Sequence, residues 1–244
     1  MEQTIFLPFK NSSFPAYFLT QEKKPRVGII LIHEIWGIND HMKDVAKRFL
    51  KENYTVLAPD LLSGTSLEGK FNESVIKALR RTKSREEAAK IMGPILDIVN
   101  SSEFEDNTVK KLKICFNYLN KKGISKIAVV GFCFGGTYSF LLATEEPRLC
   151  ACVPFYGHSP KPLEKVTTIA CPTLAFYGKK DTALIEAIPQ LKEVLKKYDK
   201  QFQIIVYPNC GHAFFNDTNP STYNKKAADD SWKKMLTFLS KYLK

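Results

Sequence analysis

Apolar residues along the chain fall into short runs, separated by stretches with helical spacing. The runs RVGIILIH at 26–33 and YTVLAPD at 54–60 are almost uninterrupted, which is typical of strands covered on both faces. Between them, residues 41–52 repeat apolar positions at the spacing of an amphipathic helix. The pattern predicts a β-α-β unit, preceded by two short strands in TIFLPF and AYFLT.

Residues 62–105 interrupt this alternation, because they are first polar and then helical, with Gly93-Pro94 breaking the helical run. We expect this segment to form a helical excursion over the edge of the sheet that binds ligands. The alternation then resumes with helices at 106–122, 135–145, 184–197 and about 221–243, and strands at 126–131, 149–156, 173–177 and 202–207. Such alternation predicts an α/β fold with a mostly parallel central sheet and helices on both faces.

The composition predicts an ordinary globular protein. The 244 residues contain no linker, repeat or low-complexity block, so we expect a single domain over residues 1–244. Lys and Arg exceed Asp and Glu by 11, but the lysines are dispersed in pairs. This spread favours a solvated basic surface over specific nucleic-acid binding, and no nucleic-acid module is recognisable.

The N-terminal residues lack a basic segment followed by a long apolar one, and no apolar run reaches the roughly 18 residues of a membrane span. We therefore expect a cytoplasmic protein that does not bind membranes. Its six cysteines include no C-x-x-C pair, which favours free thiols over disulfides or a zinc site.

Candidate functional residues follow the predicted strands. In a parallel sheet, ligands bind at the carboxyl ends of the strands. The residues found there are Glu34, Cys133, Asp181 and His212. A nucleophile, an imidazole and two carboxylates are thus predicted to meet at one edge of the sheet.

The stretch GFCFGG at 131–136 has the form of a nucleophile elbow in which cysteine replaces the more usual serine. Gly131 and Gly135 would let the strand and the following helix approach closely. The turn would hold the Cys133 sulfur near a helix N-terminus, which favours a thiolate, and aim the backbone N–H of Phe134 at a developing oxyanion.

Chain order supports a catalytic triad, because Cys133, Asp181 and His212 follow the nucleophile, acid, histidine order of the α/β-hydrolases. A zinc protease motif is excluded, since His33-Glu34 is followed by Gly37 where H-E-x-x-H needs histidine. We expect no metal site.

The chain resembles the dienelactone hydrolase family of α/β-hydrolases over nearly its whole length. The resemblance is carried by HEIWGIN at 33–39, APDL at 58–61, GFCFGG at 131–136, FYGKKDT and GHAF. It implies a Cys133–His212–Asp181 triad with Glu34 as a fourth functional residue near the thiol. It also implies that Ile35 supplies the second oxyanion N–H and that Trp36 lines the pocket.

The resemblance also indicates where a substrate carboxylate would bind. Family members that act on dienelactones use two arginines, one from the excursion and one four residues after the catalytic histidine. Here Arg80, Arg81 or Arg85 could supply the first, and the second position is Asn216. An amide offers hydrogen bonds without the bidentate charge, so the substrate is predicted to differ from dienelactone itself.

The function implied is cofactor-independent hydrolysis of a small ester or lactone through an acyl-cysteine intermediate. Two alternatives remain open: a broader carboxylesterase or thioesterase, and a non-catalytic ligand-binding or thiol redox-sensing protein, in which Cys210 near His212 could take part. We expect the partner to be a small molecule and the protein to be a monomer or weak homodimer.

Overall fold

The computed structural model describes residues 1–21, 26–71, 75, 79, 82 and 84–244, and these form an α/β structure around one eight-stranded sheet. The strands are β1 Glu2–Phe9, β2 Ser12–Leu19, β3 Val27–Ile32, β4 Thr55–Pro59, β5 Lys126–Phe132, β6 Ala151–Phe155, β7 Thr173–Gly178 and β8 Phe202–Tyr207. The helices are α1 Asp40–Lys51, α2 Arg85–Val99, α3 Ser102–Lys121, α4 Phe134–Glu145, α5 Thr182–Lys197 and α6 Lys225–Leu243, with a short 3₁₀ helix at Leu163–Thr168.

The strand order across the sheet is β1-β2-β4-β3-β5-β6-β7-β8. β1 and β2 pair antiparallel, as do β2 and β4, and the remaining neighbours are parallel. The predicted α/β fold with a mostly parallel sheet is therefore confirmed.

The order reverses at β3, which pairs with β4 on one side and with β5 on the other. The chain leaves β3 toward one half of the sheet and leaves β5 toward the other half. In open α/β sheets this divergence creates a crevice at the carboxyl ends of the two strands, where ligands bind. The residues that follow β3 and β5 are those of the Glu34 and Cys133 segments.

The central strands are apolar because both of their faces are covered. Residues 29–32 of β3 are completely buried, and so are 128–130 of β5. The edge strand β8 instead has only half-buried and exposed positions. Stacked aromatic rings of Phe132, Phe155 and Phe176 run beneath the crevice and give the carboxyl ends of β5, β6 and β7 a rigid support.

Helix ends agree with the predictions to within a few residues, and local caps set several of them. The Asn39 side chain accepts from the Met42 N–H and starts α1, while Ser84 and Ser101 start α2 and α3 in the same way. The expectation that Gly93-Pro94 breaks the helical run is wrong, because α2 continues through both residues. Its buried Ile95 anchors the helix beyond the proline.

Candidate active site

Cys133 lies at a sharp turn between β5 and α4, with φ of +56° and ψ of −114°. A Cβ on Gly131 would come within 2.1 Å of the Gly135 carbonyl oxygen, and a Cβ on Gly135 within 2.3 Å of the Ile32 carbonyl oxygen. Only glycine fits either position, since both obstacles are backbone atoms. The turn is therefore an elbow of the predicted form, with its left-handed residue at the thiol.

Asp181 and His212 come together from the ends of two neighbouring strands. Asp181 follows β7 and is the N-cap residue of α5, and its Oδ2 lies 2.5 Å from Nδ1 of His212. The Asp181 side chain is 15% exposed and that of His212 is 42% exposed. The carboxylate is thus placed to hold one imidazole nitrogen while the other remains available.

The imidazole of His212 is near the thiol of Cys133, and both side chains line the same cavity. Burial lowers the pKa of His212, but the nearby Cys133 and Asp181 raise it more, so the pKa lies well above its ordinary value. A histidine held in this way can accept a proton from the thiol and keep it.

Glu34 follows β3 and is almost completely buried. Its Oε2 accepts a hydrogen bond of 2.6 Å from Nδ2 of Asn216, and its Oε1 accepts a long one of 3.4 Å from the Tyr156 hydroxyl. Burial raises the pKa of the Glu34 carboxyl, and the effects of His41, Asn216, His212 and Tyr156 only partly oppose this. The carboxyl lines the cavity that contains Cys133.

His33 fixes the loop that carries Glu34 and Ile35. Its Nε2 accepts the Leu61 N–H at 3.1 Å, so the proton is on Nδ1, which donates to the Glu34 carbonyl oxygen at 2.5 Å. Its ring stacks on Phe134 with 5.5 Å between centroids. The histidine is fully buried, and that burial lowers its pKa and favours the neutral ring. It thereby connects the segments that carry the two predicted oxyanion donors, the N–H groups of Ile35 and Phe134.

His41 and Asp217 form a second imidazole–carboxylate pair behind Glu34. Nδ1 of His41 lies 2.9 Å from Oδ1 of Asp217, and its Nε2 is buried without a hydrogen-bond partner among the described residues. Asp217 is adjacent to Asn216, so the same loop is tied both to α1 and to Glu34. These contacts hold the segment after His212 against the β3 loop.

A two-part cavity flanks the thiol and the imidazole. The helix lobe, about 680 Å³, lies between α2 and α4, and the loop lobe, about 750 Å³, lies between the loops at 34–39 and 213–222. Ile35, Cys133 and His212 line both lobes. Trp36 lines the loop lobe, with its ring edge against Phe71.

The residues predicted to bind a substrate carboxylate are only partly described by the structure. Arg80 and Arg81 lie outside the described residues, and Arg85 is the first residue of α2 with its side chain outside the description. Asn216 lines the loop lobe but is only 5% exposed. Its amide donates to Glu34, and its oxygen accepts from the N–H and hydroxyl of Thr218, so the side chain is engaged inside the protein.

The remaining features predicted from the sequence concern the cysteines, metal binding and membrane spans. All six cysteines are free, and Cys210 is buried. Within the described ranges, no three or more His, Cys, Asp or Glu side chains are arranged to hold a metal ion. In the same part of the chain, no helix is both long and apolar enough to cross a membrane.

Sequence reasoning missed two residues of this site. Tyr156, at φ of +39°, directly follows β6 and contacts Glu34 and the His212 ring. Its position after a parallel strand was a signal that could have found it. His158 lies three residues after β6 and lines the helix lobe.

Comparisons with known proteins agree with this geometry. The model of the dienelactone hydrolase family matches residues 14–243. A Saccharolobus solfataricus protein named "Putative carboxymethylenebutenolidase" is 34% identical over 100% of both chains, and an Escherichia coli K12 protein of the same name is 28% identical over 97% of this chain and 85% of that one.

A crystal structure of a "Putative Dienelactone Hydrolase" from Klebsiella pneumoniae shares the fold. It superposes with a TM-score of 0.78 at 22% identity and covers 99% of each chain. The α/β-hydrolase fold expected from the sequence is therefore confirmed. The family match, the full-length relative and the shared fold lead to one conclusion: this chain belongs to the dienelactone hydrolase family and is a hydrolase of that kind.

Proposed function

We propose that the protein hydrolyses a small ester or lactone by nucleophilic catalysis through Cys133. The observation that carries the proposal is the Asp181–His212 hydrogen bond at the cavity that Cys133 also lines, with the thiol held at a strained elbow. A nucleophile, a base and a group that orients the base are the three parts such a mechanism needs. The names of the relatives, carboxymethylenebutenolidases, fit a lactone substrate.

In the acylation step, His212 takes the Cys133 proton and Sγ attacks the carbonyl carbon. The backbone N–H groups of Ile35 and Phe134 stabilise the tetrahedral oxyanion. Collapse breaks the bond between carbon and the leaving oxygen, which receives the proton from His212. The product is an acyl-cysteine, with the alcohol free from an ester or still tethered from a lactone.

In the deacylation step, His212 activates a water molecule that attacks the acyl-cysteine. The carbon–sulfur bond breaks, the acid is released, and the thiolate returns beside a protonated His212. Asp181 holds the imidazole in one orientation throughout both steps. Glu34 lines the same lobe as the thiol, and in its ionised form it would oppose a second negative charge there.

The first test compares Cys133→Ala with Cys150→Ala. Cys150 is also a half-buried free cysteine, but it lies at the opposite end of β6 from the site. We expect Cys133→Ala to lose about a thousandfold or more of the turnover of p-nitrophenyl acetate and of a five-membered unsaturated lactone, because the bond-forming atom is gone. Cys150→Ala should retain both activities.

Thermal unfolding of both variants verifies that they are folded. Turnover by Cys133→Ala at the native rate would refute the nucleophile. The relative rates on the lactone and the ester distinguish a lactonase from a broader carboxylesterase, and an acyl thioester added to the panel tests a thioesterase.

A further inference from the structure

Leu96 of α2 is a large apolar side chain that is 45% exposed. An exposed leucine by itself needs no explanation, but this one lines the helix lobe next to Cys133 and His212. Met92 and Val99 precede and follow it at spacings of four and three residues, so the three share one face of the helix. α2 therefore presents an apolar stripe to the cavity.

The opposite wall of the helix lobe is partly apolar. It includes Phe134, Tyr138 and Leu141, together with the polar Thr137, on α4, the helix that begins directly after the nucleophile. A group bonded to Sγ of Cys133 can enter this space without leaving the site. Filling such a lobe with methylene groups removes apolar surface from water on both walls, which is favourable.

The loop lobe has no comparable apolar stripe from one helix face among the described residues. Its wall includes the polar side chains of Asn39, Thr218, Ser221 and Thr222. These groups can hydrogen-bond a polar part of a ligand. The helix lobe has polar lining residues too, so its distinguishing feature is the apolar stripe of α2 facing α4; the polar residues are Asn100, Glu105, His158, Ser159 and Lys161. The two lobes meet at Cys133 and His212, where the scissile bond would lie.

We propose that the substrate has an apolar arm of several carbons that lies in the helix lobe against Leu96, with the rest of the substrate in the loop lobe. This assignment rests on the proposed function, since it places the carbonyl group at Cys133. An ester with two short arms, such as ethyl acetate, would contact little of the wall formed by Met92, Leu96 and Leu141, so it is predicted to be a poor substrate.

The test varies the length of each arm separately. Rates are measured for p-nitrophenyl acetate against p-nitrophenyl hexanoate, and for ethyl acetate against hexyl acetate. A fully buried methylene contributes a factor of about four to binding. We expect kcat/KM to rise at least about tenfold with chain length in one of the two series.

Two variants test whether the gain comes from α2. Leu96→Asp puts a charge on the apolar wall and should lower the long-to-short ratio of kcat/KM at least about fivefold, with Leu96→Ala giving a smaller loss. Asp97→Ala is the matched control, because Asp97 is exposed on the same helix and does not line the lobe. A ratio near one in both series, or a ratio that Leu96→Asp leaves unchanged, would overturn the proposal.

A binding readout separates this proposal from the hydrolase proposal. Hexanamide, an uncharged probe, should slow alkylation of Cys133 by iodoacetamide more than acetamide does, and Leu96→Asp should abolish the difference. Protection without any turnover that depends on Cys133 would support the apolar subsite and refute the hydrolase mechanism. Turnover that depends on Cys133, without a chain-length effect and without protection, would support the hydrolase mechanism and refute the apolar subsite.

Discussion

At the scale of single residues, Glu34 is a carboxyl group whose charged form is costly because it is buried. Its carboxyl is 1% exposed and is held by Asn216 and Tyr156, with no basic side chain hydrogen-bonded to it in the described part of the chain. A buried carboxylate without an ion-pair partner is costly, so the proton is held more tightly than in water. Folding stability must therefore depend on the protonation of this group.

The sign of that dependence can be predicted. The ordinary pKa is 4.5 and burial raises it in the native state, so above 4.5 the native protein keeps a proton that the unfolded chain releases. Stability contributed by the neutral carboxyl is complete below pH 4.5 and is lost as pH rises through the raised pKa. Glu34→Gln removes this loss because an amide does not titrate.

Urea unfolding from pH 4.5 to 8 measures the effect. The free energy of unfolding of the native protein should fall relative to Glu34→Gln by up to about 1.4 kcal/mol per pH unit over the titration window. Glu193→Gln, an exposed glutamate on α5, should track the native protein. Parallel curves for the native protein and Glu34→Gln would contradict the prediction.

At the scale of elements, the site depends on how closely β5 and α4 approach each other. The strand enters the elbow at Gly131 and the helix leaves it past Gly135, and the backbones touch where side chains would otherwise be. The loop after His212 is the second such element. Asn216 and Asp217 tie it to Glu34 and His41, residues more than 170 positions away along the chain.

A pair of glycine substitutions tests the close approach. Gly131→Ala places a Cβ 2.1 Å from a backbone oxygen and should lower the free energy of unfolding by about 3 kcal/mol. Gly93→Ala is the control, since among the described residues no atom outside its own helix backbone and chain neighbours lies within 4 Å of a Cβ there. It should change the free energy of unfolding by about 1 kcal/mol or less, because the helix propensity of alanine is opposed by the proline that follows. Equal stabilities in urea would refute the contact.

At the scale of the whole molecule, the fold gives the six free cysteines different exposure to solvent. Cys133 and Cys150 are half-buried and the other four are buried. Burial raises the pKa of Cys171 to about 12, and it also raises the pKa of Cys115, Cys152 and Cys210. Cys133 lies near the His212 imidazole, which can take its proton.

Alkylation by iodoacetamide near neutral pH tests this ranking. We expect Cys133 to react first, Cys150 more slowly, and the four buried thiols only after unfolding in urea. His212→Ala should slow the reaction of Cys133 and leave that of Cys150 unchanged. Mass spectrometry of peptides identifies the modified positions. Faster modification of Cys150 than of Cys133 would show that the imidazole does not activate the thiol.

The sequence alone determined the alternation of strands and helices, the elbow around Cys133 and the partners Asp181 and His212. These features are local: apolar runs, the spacing of turns of a helix, and glycines that flank a nucleophile. The apolar runs show where each strand ends, so the residues that follow parallel strands could be assigned to the carboxyl edge of the sheet.

Only the tertiary structure decided what surrounds those residues. The sequence suggested substrate binding at Asn216, whereas the fold engages its amide with Glu34, 182 residues away. The contacts of Tyr156, the pairing of His41 with Asp217 and the apolar stripe on α2 likewise appeared only in three dimensions. Each depends on the paths of loops and on helix packing between distant segments, and such pairings have no signature in neighbouring residues.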